Sequence, residues 1–305
     1  MSEIRDRGAL TQKAAVASVV TALFLLGLKG WAAAQTGSVA MLASLADTSL
    51  DIVASLVTLF SVRLAAQPAD RQHRFGHGKA EALSALFQAG IITASALAIA
   101  WRAFSRLGDM SIPEDPELGI GVSILAMAAT GALILYQRRI VHLTGSNAIR
   151  ADHTHYSSDL LLNAGVILAL VLEARARLRG ADPVFGILIA FWLLWNVRAI
   201  AAEAVDVLMD REWPEEKRQR FMDVAASHPA ISNVHDLRTR SSGTQDFAQL
   251  HAWVDPAMSL ADAHKAMDEV EAMLAREFPE VEVIIHPEPE GHFSGHLHPH
   301  ERPKP

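Results

Sequence analysis

The sequence predicts a polytopic α-helical membrane protein with six transmembrane helices and a C-terminal cytoplasmic α+β domain. Half of the 305 residues are hydrophobic and the mean hydropathy is +0.19, which is unusual for a soluble chain. Six apolar stretches each reach the roughly 20 residues that a helix needs to cross a bilayer. After Asp210 the long apolar runs stop, and shorter segments with helical or strand periodicity follow.

The six predicted spans are joined by short links. A mixed-charge cytoplasmic arm, residues 1–12, precedes a transmembrane domain over residues 13–208, whose spans are predicted at 13–34, 39–64, 79–107, 118–142, 147–175 and 184–208. Lys29, near the end of the first span, is expected to extend toward the lipid headgroups. Lys and Arg are more frequent on the side of the N-terminus, despite a cluster at 175–179. This bias predicts cytoplasmic N- and C-termini in a multi-pass protein of the bacterial inner membrane.

Residues 209–288 predict a small cytoplasmic domain with the element order α-β-β-α-β and a ferredoxin-like fold. Helices are expected at 214–227 and 260–277, and strands at 234–240, 246–254 and 281–285. Residues 289–305 are rich in Pro and His and lack apolar periodicity, so they predict a disordered tail. The tail histidines would either chelate metal weakly or have no role.

The composition excludes several classes of function. The net charge of −7 does not fit a nucleic-acid-binding surface. The absence of Cys excludes disulfides, thiolate metal ligands and a cysteine nucleophile. Fourteen His residues, most of them clustered, direct attention to metal binding.

Two pairs of metal-capable side chains lie inside predicted spans two and five: Asp47 with Asp51, and His155 with Asp159. Members of each pair are four residues apart and therefore share one helix face. An ionised side chain deep in a bilayer costs at least about 2.5 kcal/mol, so such groups are usually functional. If the two spans face each other, the four ligands predict a tetrahedral divalent-metal site or a proton site. A neutral polar contact between helices is the alternative.

The ligand types restrict the metal. Three carboxylates and one imidazole suit Zn²⁺, and also Cd²⁺, Co²⁺ or Fe²⁺, whereas the imidazole disfavours Mg²⁺ and Ca²⁺. Asp152 and His153 are rival ligands in the same helical turn. His153 points about 200° away from His155 around the helix, so both cannot face one ion. His155 is preferred because it pairs with Asp159.

A second candidate site lies in the loop between spans two and three, where Asp70, His73 and His77 are close in sequence. These residues would form a cytoplasmic metal site, or would be solvated and have no function.

A third candidate site lies in the C-terminal domain. Its possible ligands fall on the predicted strands, on the second helix and just after the last strand: His235, His251, His264, His286 and Glu288. His235, His251 and His286 can converge only if the three strands share one sheet. The alternative is that they are ordinary half-buried strand residues.

Four stretches together resemble the cation diffusion facilitator family, and within it the bacterial zinc and ferrous-iron efflux transporters. They are Leu45–Asp51, Phe75–Glu81, His155–Asp159 and His235–Arg240, and the resemblance runs from about residue 15 to 289. It implies a homodimer that exchanges a cytoplasmic divalent metal for external protons by alternating access. A departure is Glu288, where the family pattern has Asp; the geometry of that site is therefore open.

The resemblance also implies roles for the candidate residues. Asp47, Asp51, His155 and Asp159 match the transport site, and Asp70, His73 and His77 match the loop site. The histidines at 235, 251, 264 and 286 match a binuclear cytoplasmic site that bridges the dimer. Lys79 and Asp210 match a charge interlock at the membrane–cytoplasm junction.

Metal binding requires a neutral imidazole and ionised carboxylates, so it displaces protons and predicts antiport, with His155 as a natural proton carrier. We expect a metal/H⁺ antiporter for Zn²⁺, which is both the substrate and a regulatory ligand, with Fe²⁺, Cd²⁺, Co²⁺ or Mn²⁺ as alternative substrates. A membrane-anchored metal sensor is the alternative from another class. An intramembrane metalloprotease is disfavoured, because the chain has no His-Glu-x-x-His motif.

Overall fold

A computed structural model describes residues 2–36, 39–106, 117–176, 181–243 and 245–291. The chain divides into two compact units, Met1–Asp206 and Val207–Pro305. The first unit is helical and the second mixes helices and strands, which confirms the predicted fold class.

The first unit is a bundle of long helices. They are α1 (Ser2–Thr36), α2 (Val39–Ala65), α3 (Lys79–Arg106), α4 (Glu117–Thr144), α5 (Asn147–Ala176) and α6 (Ala181–Leu208). Helix α1 packs against α2 and α4, while α5 packs against α3 and α4. Many of the buried residues are alanine, including Ala14, Ala54 and Ala151, and such small side chains let helix backbones approach closely.

The outer surface of the bundle is apolar. Trp101 is 74% exposed, and Phe60, Phe104 and Phe191 are also exposed, as expected for side chains that face lipid. Among the residues that the structure describes, five helices are long and apolar enough to cross a membrane: Arg7–Gln35, Asp47–Ala65, Lys79–Ser105, Ile124–Thr144 and Val184–Leu208.

Helix α1 begins at Ser2, so residues 2–12 extend the first helix and do not form the separate arm predicted from their mixed charge. The reason is burial. Thr11 is 3% exposed and its hydroxyl donates to the carbonyl of Arg7. Leu10 packs against a buried cluster that includes Val62 and Ile149. These contacts supply the packing that sequence charge alone does not reveal.

The cytoplasmic unit contains α7 (Glu215–Ala226), β1 (Asn233–Ser241), β2 (Asp246–Val254), α8 (Leu260–Glu277) and β3 (Val281–Pro289). The sheet order is β1-β2-β3, with β1 antiparallel and β3 parallel to β2. Phe221 of α7, Val270 and Leu274 of α8, and Leu250 of β2 share one hydrophobic core. Ser259 caps α8 by accepting a hydrogen bond from the Asp262 backbone N–H.

Two details of the sheet were not predicted. Strand β3 continues to Pro289 instead of ending at Ile285, so His286 and Glu288 lie within the strand. Pro287 is tolerated because β3 lies at an edge of the described sheet, where a missing N–H breaks no ladder bond. Strand β1 carries a bulge between His235 and Arg238, and Asp236 within it has a φ of 47°.

Most of the predicted tail, residues 292–305, lies outside the described residues. The same holds for its four histidines: His292, His296, His298 and His300.

Candidate metal centres

Three of the four predicted transport-site residues converge between α2 and α5. The Nε2 atom of His155 lies 3.0 Å from Asp51 Oδ1 and 3.9 Å from Asp159 Oδ2. One ligand atom from each of the three residues lies within 4.8 Å of the others, close enough to coordinate one ion. His155 is 5% exposed, so an ion held here would be largely shielded from solvent.

Asp47 differs from the other three. It lies one helical turn before Asp51, on the same side of α2, but its side chain is exposed and is outside the convergent group of described residues. The structure therefore brings together Asp51, His155 and Asp159, and Asp47 is not part of this group.

Lys29 has a different position from the one expected. Its ammonium group donates a 2.7 Å hydrogen bond to Thr48, whose side chain is fully buried between Asp47 and Asp51 in sequence. A cation on α1 thus lies near the predicted metal ligands instead of reaching for the headgroups. In the sequence, the sign of a specific role for Lys29 was its position in an otherwise apolar stretch.

The two rival ligands in α5 do not join the convergent group. Asp152 is fully buried and accepts hydrogen bonds from Ser18 at 2.5 Å and Gln137 at 2.7 Å. His153 Nε2 is buried and has no hydrogen-bond partner in the described part of the chain. The preference for His155 therefore agrees with the geometry.

The loop residues Asp70, His73 and His77 form a second group. His73 and His77 each lie 3.4 Å from the Asp70 carboxylate, and their ring nitrogens are 3.2 Å apart. Asp70 Oδ1 also accepts the backbone N–H groups of His73 and Gln72, at 2.6 and 2.8 Å. The His73 N–H holds the pKa of the Asp70 carboxyl below its usual value, so that this ligand stays ionised.

The third group lies on the sheet of the cytoplasmic unit. Glu288 of β3 is 2% exposed and accepts a 2.8 Å hydrogen bond from His251 Nδ1 of β2. The other Glu288 oxygen is 3.3 Å from His235 Nε2 of β1. The three strands do share one sheet, and the longer Glu side chain reaches both imidazoles despite the departure from the family pattern.

Two predicted ligands of the cytoplasmic unit stay outside this group. His286 is exposed, and its ring stacks on that of His251 with centroids 4.8 Å apart. His264 lies on α8, is exposed, and is 3.8 Å from Asp268. Within the described residues of one chain, neither completes the group of His235, His251 and Glu288.

Asp236 was overlooked in the sequence. The bulge in β1 turns its carboxylate to within 3.8 Å of His251 Nε2, and Arg238 donates two hydrogen bonds to it, at 2.9 and 3.2 Å. Its place directly after a candidate ligand was the only signal. The bulge itself could not be predicted from the sequence, because it is defined by the pairing with β2.

The charge interlock of Lys79 and Asp210 stays a prediction. Lys79 is the first residue of α3, and Asp210 follows α6 with a φ of 55°. The two residues belong to different units of the chain.

Comparison with known families covers almost the whole chain. A cation efflux transmembrane domain matches residues 15–209, and the cytoplasmic domain of cation efflux proteins matches residues 213–290. The cation-efflux pump FieF of Serratia proteamaculans is 42% identical over 280 residues, which cover 92% of this chain and 93% of that protein. FieF of Yersinia pestis strain Pestoides F is 42% identical over 276 residues, covering 90% and 92%.

Two solved structures are similar to part of this chain. One is the zinc form of a putative zinc transporter, CzrB, with 34% identity and a TM-score of 0.26, covering 28% of this chain and 98% of its own. Another is the metal-bound C-terminal domain of the CzcD transporter from Thermotoga maritima, with 27% identity, a TM-score of 0.25, and coverage of 27% and 100%. The chain belongs to the cation efflux, or cation diffusion facilitator, family of multi-pass membrane transporters, and it is not an enzyme.

Proposed function

We propose that this cation efflux protein exports Zn²⁺ from the cytoplasm in exchange for protons, by alternating access around Asp51, His155 and Asp159. The convergence of these three side chains within a membrane bundle is the observation that carries the proposal. Asp47, one turn away on α2, is proposed as the fourth ligand when the metal is bound. A site with one imidazole and several carboxylates on facing helices suits tetrahedral Zn²⁺.

The donor set also defines the alternatives. Fe²⁺, Cd²⁺, Co²⁺ and Mn²⁺ accept the same ligands, and selectivity among them depends on geometry and availability more than on ligand type. The relatives are named cation-efflux pumps, a name that does not specify the metal.

Proton exchange follows from the same residues. A metal ion can bind only to a neutral imidazole and ionised carboxylates, so its arrival displaces protons and its departure allows them to return. His155 is hydrogen-bonded to Asp51, an arrangement that a shared proton stabilises. Protons from the outside would therefore replace the metal after the bundle reorients.

We propose that the protein works as a homodimer in the bacterial inner membrane, with both termini in the cytoplasm. In this proposal the cytoplasmic unit is a metal-sensitive dimerisation element, and His235, His251 and Glu288 hold a regulatory Zn²⁺. His264 and His286 are left exposed in one chain and would contribute to a second metal near the partner subunit. Lys79 and Asp210 would link the dimer to the membrane domain.

The test is zinc uptake into proteoliposomes with an imposed pH gradient, comparing wild type with Asp51→Asn. We expect uptake that follows the gradient in wild type and falls at least about 100-fold in the variant, because a neutral amide binds Zn²⁺ poorly. Asp223→Asn, which neutralises an exposed carboxylate on α7, is the matched control and should transport normally.

Three other outcomes are informative. Equal flux in wild type and Asp51→Asn would overturn the proposed transport site. Flux of Fe²⁺ or Mn²⁺ without flux of Zn²⁺ would overturn the substrate but not the mechanism. No flux of any metal, with zinc still bound by the cytoplasmic unit, would favour a membrane-anchored sensor.

A further inference from the structure

A second polar cluster lies inside the membrane bundle, separate from the proposed metal ligands, and the carboxylate of Asp152 is at its centre. Asp152 Oδ2 accepts hydrogen bonds from Ser18 Oγ of α1 and Gln137 Nε2 of α4, at 2.5 and 2.7 Å. Its Oδ1 atom is 3.4 Å from Gln88 Nε2 of α3. Gln88 in turn donates to Thr58 of α2. The cluster therefore involves five helices, α1 to α5.

Every member of the cluster is buried. Asp152, Ser18, Gln137 and Thr58 are 0% exposed, and Gln88 is 1% exposed. None of the hydrogen bonds to Asp152 comes from a proposed metal ligand, and His155 is about one helical turn further along α5. A buried carboxylate at this depth, outside the metal site, has no role in the metal-exchange mechanism described above.

Two hydrogen-bond acceptors of the cluster lack a donor. The side-chain oxygens of Gln88 and Gln137 are buried and have no hydrogen-bond partner among the described residues. Buried amide oxygens are normally paired, because an unsatisfied acceptor costs roughly 1–3 kcal/mol. A single added proton on Asp152 would provide a new O–H donor next to these two amides.

No cation balances Asp152 directly. α1, α3 and α4 contribute only the uncharged groups of Ser18, Gln88 and Gln137 to its hydrogen bonds. The titratable groups that interact electrostatically with Asp152 are His155 and Tyr156, both on α5. His155 is hydrogen-bonded to Asp51 of α2, and the Tyr156 hydroxyl to Ser55 of α2 and the Ser18 carbonyl of α1. His155 is thus the residue that places Asp152 next to the proposed metal site.

We propose that Asp152 is a second proton-binding carboxyl, distinct from the metal ligands, that takes up one proton when the metal leaves and releases it when the metal returns. This inference rests on the proposed zinc/proton exchange and adds one proton to each transport cycle.

Both protonation states suit the cluster. In the ionised state, the hydroxyl of Ser18 and the amide N–H groups donate to Asp152, as observed. When a proton adds to one carboxylate oxygen, rotation of the Gln137 or Gln88 amide by 180° presents its oxygen to accept the new O–H. The rotation exchanges the N–H donation of that amide for acceptance of the new O–H, and the O–H bond of the carboxyl is the only covalent bond formed. A divalent ion one turn away then favours the ionised state by electrostatic attraction, which is the coupling that the proposal requires.

The experiment measures proton and zinc movements together in proteoliposomes, with a pH-sensitive dye and a zinc-sensitive dye, for wild type and Asp152→Asn. The Asn side chain keeps the shape and can still accept the two short hydrogen bonds, but it cannot ionise. We expect Asp152→Asn to transport zinc with about one proton fewer per metal ion and with a weaker dependence on pH. Thr130→Val, which alters another buried polar residue of α4, should keep the wild-type ratio.

A transporting Asp152→Asn variant with an unchanged proton-to-zinc ratio would overturn the proposal and leave a structural role for the cluster. If that variant does not fold, Gln137→Leu provides a second test. It removes a donor from the ionised carboxylate, so zinc-dependent proton release should move to higher pH; an unchanged pH profile would contradict the proposal. Absence of zinc-linked proton movement in wild type would instead refute the underlying antiport.

Discussion

At the scale of single residues, Asp70 shows how a ligand is prepared before a metal arrives. Its Oδ1 atom accepts the backbone N–H groups of Gln72 and His73, which closes a tight turn and fixes the carboxylate beside His73 and His77. Because these N–H groups stabilise the ionised form, the pKa of Asp70 lies below its usual value of about 3.9. The carboxylate is therefore available to metal throughout the neutral and mildly acidic range.

This lowered pKa determines the pH dependence of the loop site. A lowered pKa keeps Asp70 ionised as pH falls, until the pH drops below about 4. Protonation of Asp70 should therefore play no part in metal release above about pH 4. We expect Asp70→Asn to weaken zinc binding at the loop about tenfold or more, by the same factor at every pH above about 4.

The measurement is zinc bound to the loop as a function of pH, taken as the difference between each protein and its version with His73→Gln and His77→Gln. Asn at position 70 can still accept both backbone N–H groups, so the turn is retained and only the charge is lost. A difference in zinc affinity between wild type and Asp70→Asn that shrinks as the pH falls from about 7 to about 5 would mean that the carboxyl itself titrates in this range.

The same residues show how far the sequence could predict the sites. Spacing of four on a helix was enough to group His155 with Asp159, and one contact across helices joins Asp51 to them. Spacing could not show that Asp47 is exposed, because the sequence does not fix how α2 is rotated toward α5. Nor could it show that Lys29 bonds to Thr48, since that contact depends on the packing of α1 on α2.

At the scale of elements, the strands of the cytoplasmic unit were located correctly, but their irregularities were not. The prediction ended β3 at Ile285, whereas the strand continues through Pro287, which an edge strand tolerates. The bulge at Asp236 was also missed, because an extra residue in one strand is defined only by its partner strand. Both irregularities position groups around His251.

Asp236 gives a prediction at this scale. Its φ of 47° is a left-handed conformation that Asn adopts readily and that costs Ala roughly 1 kcal/mol. We expect Asp236→Asn to preserve thermal stability and to lower zinc affinity of the cytoplasmic unit about 10-fold or more, because the carboxylate beside His251 is lost. Asp236→Ala should lower both the affinity and the melting temperature.

Calorimetry and zinc titration of the full-length protein would separate these two effects, with Asp223→Asn as the control. Equal zinc affinity in wild type and Asp236→Asn would show that Asp236 shapes the bulge but does not assist the metal site.

At the scale of the whole molecule, the two units carry separate groups of side chains that could hold a metal ion. The membrane unit is held by contacts among buried polar side chains as well as by small apolar residues. Ser146, just before α5, accepts the Ile149 N–H at 3.3 Å and donates to Glu81 of α3 at 2.5 Å, while Arg150 of α5 pairs with Glu203 of α6. The order of these helices was predicted from the sequence, whereas their mutual contacts are visible only in the structure.

The proposed roles of the two units, transport by the membrane unit and regulation by the cytoplasmic unit, lead to a prediction about transport kinetics. If the cytoplasmic group regulates and the membrane group transports, loss of His251 should change how flux depends on zinc concentration. We expect His251→Gln to raise the zinc concentration for half-maximal flux about tenfold and to keep most of the maximal flux. Asp51→Asn should abolish flux at every concentration, because no amount of metal replaces a missing transport ligand.

Zinc flux measured over a wide range of concentrations in proteoliposomes distinguishes the alternatives. His228→Gln is the matched control, since His228 is a histidine of the same unit that pairs with Glu269 and is outside the metal-binding group. A His251→Gln variant with unaltered concentration dependence would mean that the cytoplasmic metal stabilises the domain without regulating transport. A variant whose maximal flux is lost at saturating zinc would mean that the cytoplasmic group is needed for the transport step itself, because a regulatory ligand shifts a population of states and does not remove the competent one.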